Sequence, residues 1–556
     1  MGGLITHEAF RKGQALSFED QPYLKDLVEL VCDASVPLTI VVGAGVSMNA
    51  GLRSWEELVD QMALQIDAEK FQKIVLRDRS DLMRKVEIIL QLINGGRAVR
   101  RDETEIIRRA LYPDGLTLAP GDLARSIAKL AYLRRDGVRL ITTNFDTLLE
   151  EALLEYLPAD RIRSFGLSEA GVEGWHAAAA GGRIGVMHVH GMVPQTGPSE
   201  GPVVLAESQF FRHGAEVRRF ISDNLEGACS LFVGLSMSDP NVVGPLYDSG
   251  GAAATAPRFA LTVPAMAPGA EDHHESGEYA LELAKFMDAK LHLRTVMLRS
   301  YSQLNQVLAD LSLVILQPRR YLRTPAEDPD SLVYSARMDR ALDRCYRAVG
   351  CGRRQRVPDG PMAATLNDRL YAALHAPEGP VGVISEIART NFAYNFRRSA
   401  EKLSLFLWLR SRAHRGGPSP YALNLVGMSA YLHREKWSIR TEVEIVRGSV
   451  MVAAQAVFYN APLAVDVQQQ AGSPIWRGMI AMPIVLDSMN PDLRVGDSPA
   501  DILTVGAITL NSTHLVAAAD HSVGTGKSIM TLFDDEEMRR VRASILHAAD
   551  AVLTPC

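Results

Sequence analysis

From residue 36 to about residue 313, short runs rich in β-branched residues alternate with helical patterns, and no other feature restricts the fold as much. PLTIVVGAG precedes SWEELVDQMALQI, and VRLITTN precedes FDTLLEEALLEYL. IGVMHVHG, GPVVLAE, SLFVGLS, RFALTV and RTVMLR read as further strands, closed by the helical SQLNQVLADL. Parallel strands need long, usually helical, crossovers, and the helices then cover both sheet faces. The expected class is therefore α/β with a parallel sheet whose ligands sit at the strands' carboxyl ends. Between Met62 and Leu130 the pattern is helical and charged and too long for one crossover, which predicts a helical insertion over that ligand edge.

At 556 residues the chain exceeds what one core supports, since single cores stop growing near about 250–300 residues. Four segments are expected: an N-terminal extension over 1–29, the α/β domain over 30–316, a linker and helical region over 317–374, and a second domain over 375–556. QPRRYLRTPAEDPDS at 317–331 reads as a linker, followed by a helix at SARMDRALDRCYRAV, with further breaks at 352–361 and 376–380. Beyond these come helical patterns around ARTNFAYNFRRSAEKLSLFLWLRSRAH, strands EVEIVRGSVMVAAQAVFY, GMIAMPIVL and ILTVGAITL, and a final helix EEMRRVRASILHAADAVL, together an α+β module.

With 47% hydrophobic and 22% charged residues the composition is globular. A net charge of −6 supplies no overall field to hold nucleic acid by its phosphates. The five cysteines Cys32, Cys229, Cys345, Cys351 and Cys556 form no C-x-x-C pair and suggest neither a disulfide framework nor a structural zinc site. No run of about 18 apolar residues occurs and the start lacks a signal-peptide core, so the expectation is a cytoplasmic protein with no membrane partner. The M-G-x-x-x-T start is read as chance.

Four strand ends carry the chemistry. The first ends in Gly43-Ala44-Gly45-Val46-Ser47, with Gly51 a turn later and a helix starting near Trp55 behind Ser54, a good N-cap. Such a glycine pair lets backbone N–H groups approach a pyrophosphate. A dinucleotide fingerprint would need glycine where Met48 stands, and no acidic residue ends a second strand about 20 residues on, which disfavours hydride transfer. Alone, the glycine turn could serve packing only. The next strand runs into Thr142-Thr143-Asn144-Phe145-Asp146, where Asn144 could also be an N-cap and Asp146 a first-turn charge. Another ends in His190-Gly191, and another in Gly234-Leu235-Ser236 with Asp239 opening the next helix.

This ordered set, GAGVS, TTNFD, VHG and GLSMSD, resembles the sirtuin-like NAD-binding family across roughly residues 30–315. The resemblance implies a Rossmann-like sheet with a helical insertion that holds NAD+, as substrate and without a metal. It implies that Gly43, Ala44, Gly45, Ser47 and Thr142 contact the cofactor's phosphates and ribose, with Gly234, Ser236 and Asp239 on the adenosine side. Asn144 and Asp146 would position the nicotinamide ribose and a nucleophile, and His190 would be the base. Two departures bear on the branch. The family's protein deacylases carry a four-cysteine zinc module after the histidine, where this chain has only Cys229 up to residue 316. They also carry a Pro-Asp-Phe-Arg run where this chain has Leu52-Arg53-Ser54-Trp55. The pattern looks more like the bacterial sirtuin-like domains of anti-phage systems, whose usual activity is to hydrolyse NAD+ and deplete the cell in abortive infection.

The residues suit that chemistry. Breaking the nicotinamide–ribose bond develops an oxocarbenium-like centre, and the leaving group, already cationic, needs no acid. Holding the ribose and delivering water remain to be done, and a histidine near its ordinary pKa of about 6.5 can take the proton. His188, two residues earlier, reads as a satisfied core histidine.

FYNAPLAVDVQQQAGSPIWRGMIAMPIVL followed by ILTVGAITLNS resembles a GAF-type sensor fold, which implies a small-molecule pocket or a dimerisation surface. A structural role in assembling an oligomer is the plainer alternative. Gly524–Ser528 imitates a P-loop but has His521 where the motif needs glycine, Asp272–Glu275 reads as a solvated loop rather than a metal site, and the basic run 319–323 as a solvated linker. The expectation is thus an NAD+ glycohydrolase controlled by its C-terminal domain, by homo-oligomerisation and by a small-molecule or phage-derived activator. Two alternatives stay open: a zinc-free deacylase or ADP-ribosyltransferase, and a non-catalytic NAD or ADP-ribose sensor. Linear and cyclised ADP-ribose products are equally compatible with the same centre.

Overall fold

LTIVV and CSLFV are apolar or small at nearly every position rather than at alternate ones, the pattern of strands covered on both faces, and both are buried throughout at the centre of one sheet. The computed structural model describes residues 23–48, 50, 52–78, 81–95, 101–112, 118–134, 137–248, 256–263, 273–298, 301–318, 334–350, 361–412, 421–429, 442–445, 449–459, 462–466, 475–486, 503–517 and 526–553.

Helix α1 (Leu24–Cys32) leads into β1 (Leu38–Val42) and the short α2 (Ala44–Met48). The helical insertion follows as α3 (Trp55–Ala63), α4 (Glu69–Arg77), α5 (Leu82–Asn94), α6 (Glu103–Leu111) and α7 (Asp122–Leu133). Then come β2 (Val138–Thr142), α8 (Leu148–Leu154), β3 (Ile162–Gly166), α9 (Glu169–Ala180), β4 (Ile184–His188) and α10 (Glu207–Leu225). The unit closes with β5 (Cys229–Val233), α11 (Pro240–Asp248), β6 (Arg258–Thr262), α12 (His273–Leu291), β7 (Leu293–Met297) and α13 (Tyr301–Leu316). All strand pairs are parallel, in the order β3-β4-β2-β1-β5-β6-β7, which makes this a Rossmann-like sheet. Chain direction across the sheet reverses at β1, whose two neighbours are β2 and β5.

Register is what assembles the site. Val42 is level with Thr142 on one side and Val233 on the other, and Thr142 is level with His188. The residues that follow each of these four therefore leave the sheet side by side. One core lies between the sheet and α1, α7 and α13, another between the sheet and α9 to α12, and a third inside the insertion.

Two strand readings change. GPVVLAE forms no strand: Pro202 has no N–H for a ladder, and Val204 donates its N–H to the His190 carbonyl at 2.9 Å, so the segment lies beside the β4 exit. RIRSFG, unread in sequence, supplies the edge strand β3.

The C-terminal unit begins with α14 (Tyr334–Ala348), α15 (Pro361–His375) and α16 (Pro380–Phe392). Strands β8 (Leu403–Arg412), β9 (Tyr421–Met428), β10 (Glu442–Glu444), β11 (Leu463–Asp466), β12 (Gly478–Leu486) and β13 (Leu503–Ser512) form an antiparallel sheet ordered β10-β9-β8-β13-β12-β11. Helix α17 (Val452–Tyr459) precedes β11, and α18 (Asp535–Leu553) ends the chain's described part. Here too the structure corrects the sequence reading. LSLFLWLRSR, grouped with a long helical pattern, is strand β8, and VAAQAVFY, grouped with strands, is helix α17. Leu405, Leu407 and Leu409 face α14, α15, α16 and α18, whereas Phe406 and Trp408 face α17, so both faces are apolar and the strand's alternation is invisible in sequence. An antiparallel sheet with helices on both faces fits the α+β expectation.

The bulk of the linker, from residue 319 on, the break at 352–360, Gly51 and the residues of the P-loop look-alike before Gly526 lie outside the described residues, as do the acidic Asp272 and the basic run 319–323. Among the described residues no helix is long and apolar enough to cross a membrane.

Candidate active site

Three glycines join the first strand end to the fifth. Gly43 and Gly45 donate their N–H groups to the carbonyls of Val233 and Gly234 at 3.0 and 2.9 Å. A Cβ on Gly43 would meet the Gly234 oxygen at 2.7 Å, and one on Gly234, whose φ is +71°, would meet Val46 at 2.9 Å. Only glycine lets the two loops approach this closely. Ser54 then caps α3 in a reciprocal pair with Glu57, as its position implied.

Above these loops lies a cavity of about 820 Å³, within the usual range for small-molecule sites. Its wall takes residues from the carboxyl side of β1, β2, β4, β5, β6 and β7 and from the insertion. Ala44, Gly45, Ser47, Asn144, Asp146, His190, Gly234, Ser236 and Asp239 all line it. Gly43 and Thr142 stand behind the wall. The Thr142 hydroxyl accepts the Asn144 N–H at 3.0 Å, so Thr142 holds Asn144 rather than a ligand.

Asn144 is fixed from three sides. Its Nδ2 donates to the Gly43 carbonyl at 3.0 Å and to Ser47 Oγ at 2.8 Å. Because a carbonyl can only accept, the amide's orientation follows, and Oδ1 is the atom left for the cavity. Ser47 in turn hydrogen-bonds Asp146, whose Oδ1 accepts the Leu148 N–H at 3.1 Å. Burial raises the Asp146 carboxyl above its ordinary pKa, and these two hydrogen bonds oppose that rise.

The two histidines differ. His188 is wholly buried, its Nδ1 2.9 Å from the Asn144 carbonyl and its Nε2 2.7 Å from Glu150 Oε1. Burial lowers its pKa, but the charge and hydrogen bond of Glu150, with the Asn144 carbonyl and Asp146, outweigh burial and raise it. It is a satisfied core residue, as read, and it also braces Asn144. His190 has no such satisfaction. Its Nε2 lies 3.4 Å from Asp239 Oδ2 without hydrogen-bonding geometry, and its ring meets Phe210 edge-on at 5.5 Å. Burial lowers its pKa and the Asp239 carboxylate offsets this only in part, leaving a neutral imidazole at pH 7. The sequence reading put Asp239 with the adenosine side; the structure sets it against the histidine.

Several residues of the site had no sequence signal. Phe210 stacks on Trp55 at 6.1 Å and, with it, forms an aromatic bank beside His190. Arg53, the one Lys or Arg on the described wall, is tied by Nη1 to the Ala110 carbonyl at 2.7 Å. Glu150 braces His188 from α8, and Asn305 reaches the cavity from α13. Arg53 lies in the segment before α3, and the others come from helices whose inward faces are set by packing, not by a motif.

A family model described as SIR2-like domain matches residues 138–284, a stretch from β2 into α12 that holds Asn144, Asp146, His190, Gly234, Ser236 and Asp239. No curated protein matches the chain. A solved structure described as "Structural Basis for the Mechanism and Regulation of Sir2 Enzymes" is similar over 48% of this chain and 99% of its own, at 16% identity and a TM-score of 0.23. Over 138–284 the chain is similar to the SIR2-like domain family.

Proposed function

We propose that the N-terminal unit is an NAD+ hydrolase that cleaves the nicotinamide–ribose bond. The SIR2-like match supports an NAD-related activity in general. The observation that carries the finer reading is the pairing of a neutral, unsatisfied imidazole at His190 with an amide at Asn144 that offers only its acceptor oxygen.

The cavity fits the substrate's chemistry. On the cavity wall the Arg53 guanidinium suits a diphosphate, and Trp55, with Phe210 stacked on it, suits a flat ring. In the reaction, Asn144 Oδ1 accepts a hydrogen bond from water and His190 takes that water's proton as its oxygen bonds the anomeric carbon. The carbon–nitrogen bond breaks at the same centre and its electron pair leaves with nicotinamide. The products are nicotinamide, ADP-ribose and a proton. Asp146 holds Ser47, which holds Asn144. In this reading the enzyme depletes NAD+ during anti-phage abortive infection, and the six-stranded GAF-like unit, homo-oligomerisation and an activator restrain or release it.

The test is incubation of wild type, Asn144→Ala and His190→Ala with NAD+ at several protein concentrations, following nicotinamide and ADP-ribose. We expect acceptor-free release by wild type and a loss of about 100- to 10,000-fold in His190→Ala. Release that requires an acyl-peptide or protein acceptor would replace hydrolysis by transfer, and NAD+ binding without turnover in any form would leave a sensor.

A further inference from the structure

His188 and Glu150 form a buried pair behind the amide that the proposed reaction uses, and counting protons fixes their state. The Asn144 carbonyl, 2.9 Å from His188 Nδ1, can only accept, so Nδ1 carries a hydrogen. Glu150 Oε1 accepts the Ser164 hydroxyl at 2.9 Å and lies 2.7 Å from His188 Nε2, the length of a charge-assisted bond. An oxygen that takes two donors is a carboxylate's, so Nε2 carries the second hydrogen. His188 is thus an imidazolium and the counter-ion of Glu150. The other carboxylate oxygen, Oε2, is buried and hydrogen-bonds nothing among the described residues, which leaves Glu150 dependent on that ring.

The surroundings favour this state. Glu150 on α8 and Asp146 after β2 are the charged groups that act on His188, and Tyr112 after α6 and Glu151 on α8 interact with those two carboxyls. Loss of one proton has a directed effect. A carboxylate holds a donor about twice as strongly as a neutral carbonyl does, so the remaining hydrogen stays on Nε2 beside Glu150. Nδ1 then turns a lone pair on the Asn144 carbonyl at 2.9 Å, where two acceptors repel. The Asn144 peptide must shift while its side chain stays tied to Gly43 and Ser47, and Oδ1 loses its aim.

We infer that His188 is a positioning residue for Asn144, and that its deprotonation turns the site off at alkaline pH, at a point set by Glu150. The inference rests on the NAD+ hydrolase reading above and adds to it the alkaline limit of turnover, as His190 sets the acid one.

The test is the pH profile of kcat and KM for nicotinamide release from NAD+ by the full chain, corrected for release without enzyme. Wild type gives a bell. Glu150→Gln keeps the shape of the side chain and removes its charge, so the alkaline limb of kcat moves to lower pH by about 1–3 pH units while the acid limb and KM hold. Glu150→Asp keeps the charge but draws it back, and moves the limb the same way by less. That smaller shift decides the matter if thermal unfolding shows that Glu150→Gln does not fold. A Glu150 that only supports the fold would lower kcat alike at every pH. An alkaline limb that stays in place or moves up in the variants therefore overturns the inference while NAD+ hydrolysis stands. Wild type that releases no nicotinamide at any pH overturns the hydrolase reading and this inference with it.

Discussion

Asn144 and His190 stand on the cavity wall in opposite states of satisfaction. Both amide hydrogens of Asn144 are engaged by Gly43 and Ser47, whereas the His190 Nε2 is hydrogen-bonded to nothing in the described chain and only approached by Asp239. The pH dependence follows. In the proposed hydrolase His190 is the neutral base, and burial holds its pKa below the ordinary value near 6.5, so activity should persist at neutral pH and fall as acid protonates the ring. Asp239 favours the protonated ring, so Asp239→Asn should move the acid limb of kcat/KM to lower pH; a limb that stays in place or moves up would remove Asp239 from this role. Asn144, Asp146 and His190 were legible in sequence because a strand end is a fixed place in a parallel sheet, and the pattern of runs located those ends. Thr142 was read as a cofactor contact, whereas it stands behind the wall with its hydroxyl on the Asn144 N–H. Asn305 on the wall and Phe210 behind Trp55 and His190 were not legible, since nothing in SQFFRHG or SQLNQVL tells which way a helix face turns.

At the scale of elements, the N-terminal sheet could be read almost strand by strand, while the C-terminal sheet misled. The difference is burial. Parallel strands between helices have a turn signal at each end, but β8 is apolar on both faces and α17 is a short alanine- and valine-rich helix, so neither shows its period. Two element contacts predict stability. Gly234→Ala places a side chain at a φ of +71° and against Val46, and should cost about 1–3 kcal/mol in denaturant unfolding, with ligand binding weakened as the β1 and β5 loops part. A neutral effect would mean that the loops yield freely. Asp310 on α13 and Arg337 on α14 form a buried ion pair, with Gln306 Nε2 also donating to Asp310 Oδ1 at 2.9 Å. Arg337→Leu should destabilise by about 3–5 kcal/mol because a carboxylate stays buried without its cation, and Arg337→Lys should recover part of that. Equal stability of all three forms would show the pair to be dispensable.

For the molecule as a whole, α13 is shared structure: its first turns reach the cavity through Leu304 and Asn305, and Asp310 lies further along it against the C-terminal unit. The cavity wall starts at Ala44 and is complete only with Asn305, and about 250 residues follow. During translation at about 5–20 residues per second, on the order of 12–50 s separate the emergence of Asn305 from that of the last residue. Every wall residue is therefore synthesised well before the six-stranded unit is complete. Strand β1 must wait about 100 residues for β2 and about 190 for β5, and such distant pairings form slowly. The central position of the first strand thus acts as a clock, keeping the cavity unfinished at least until β5 has been made.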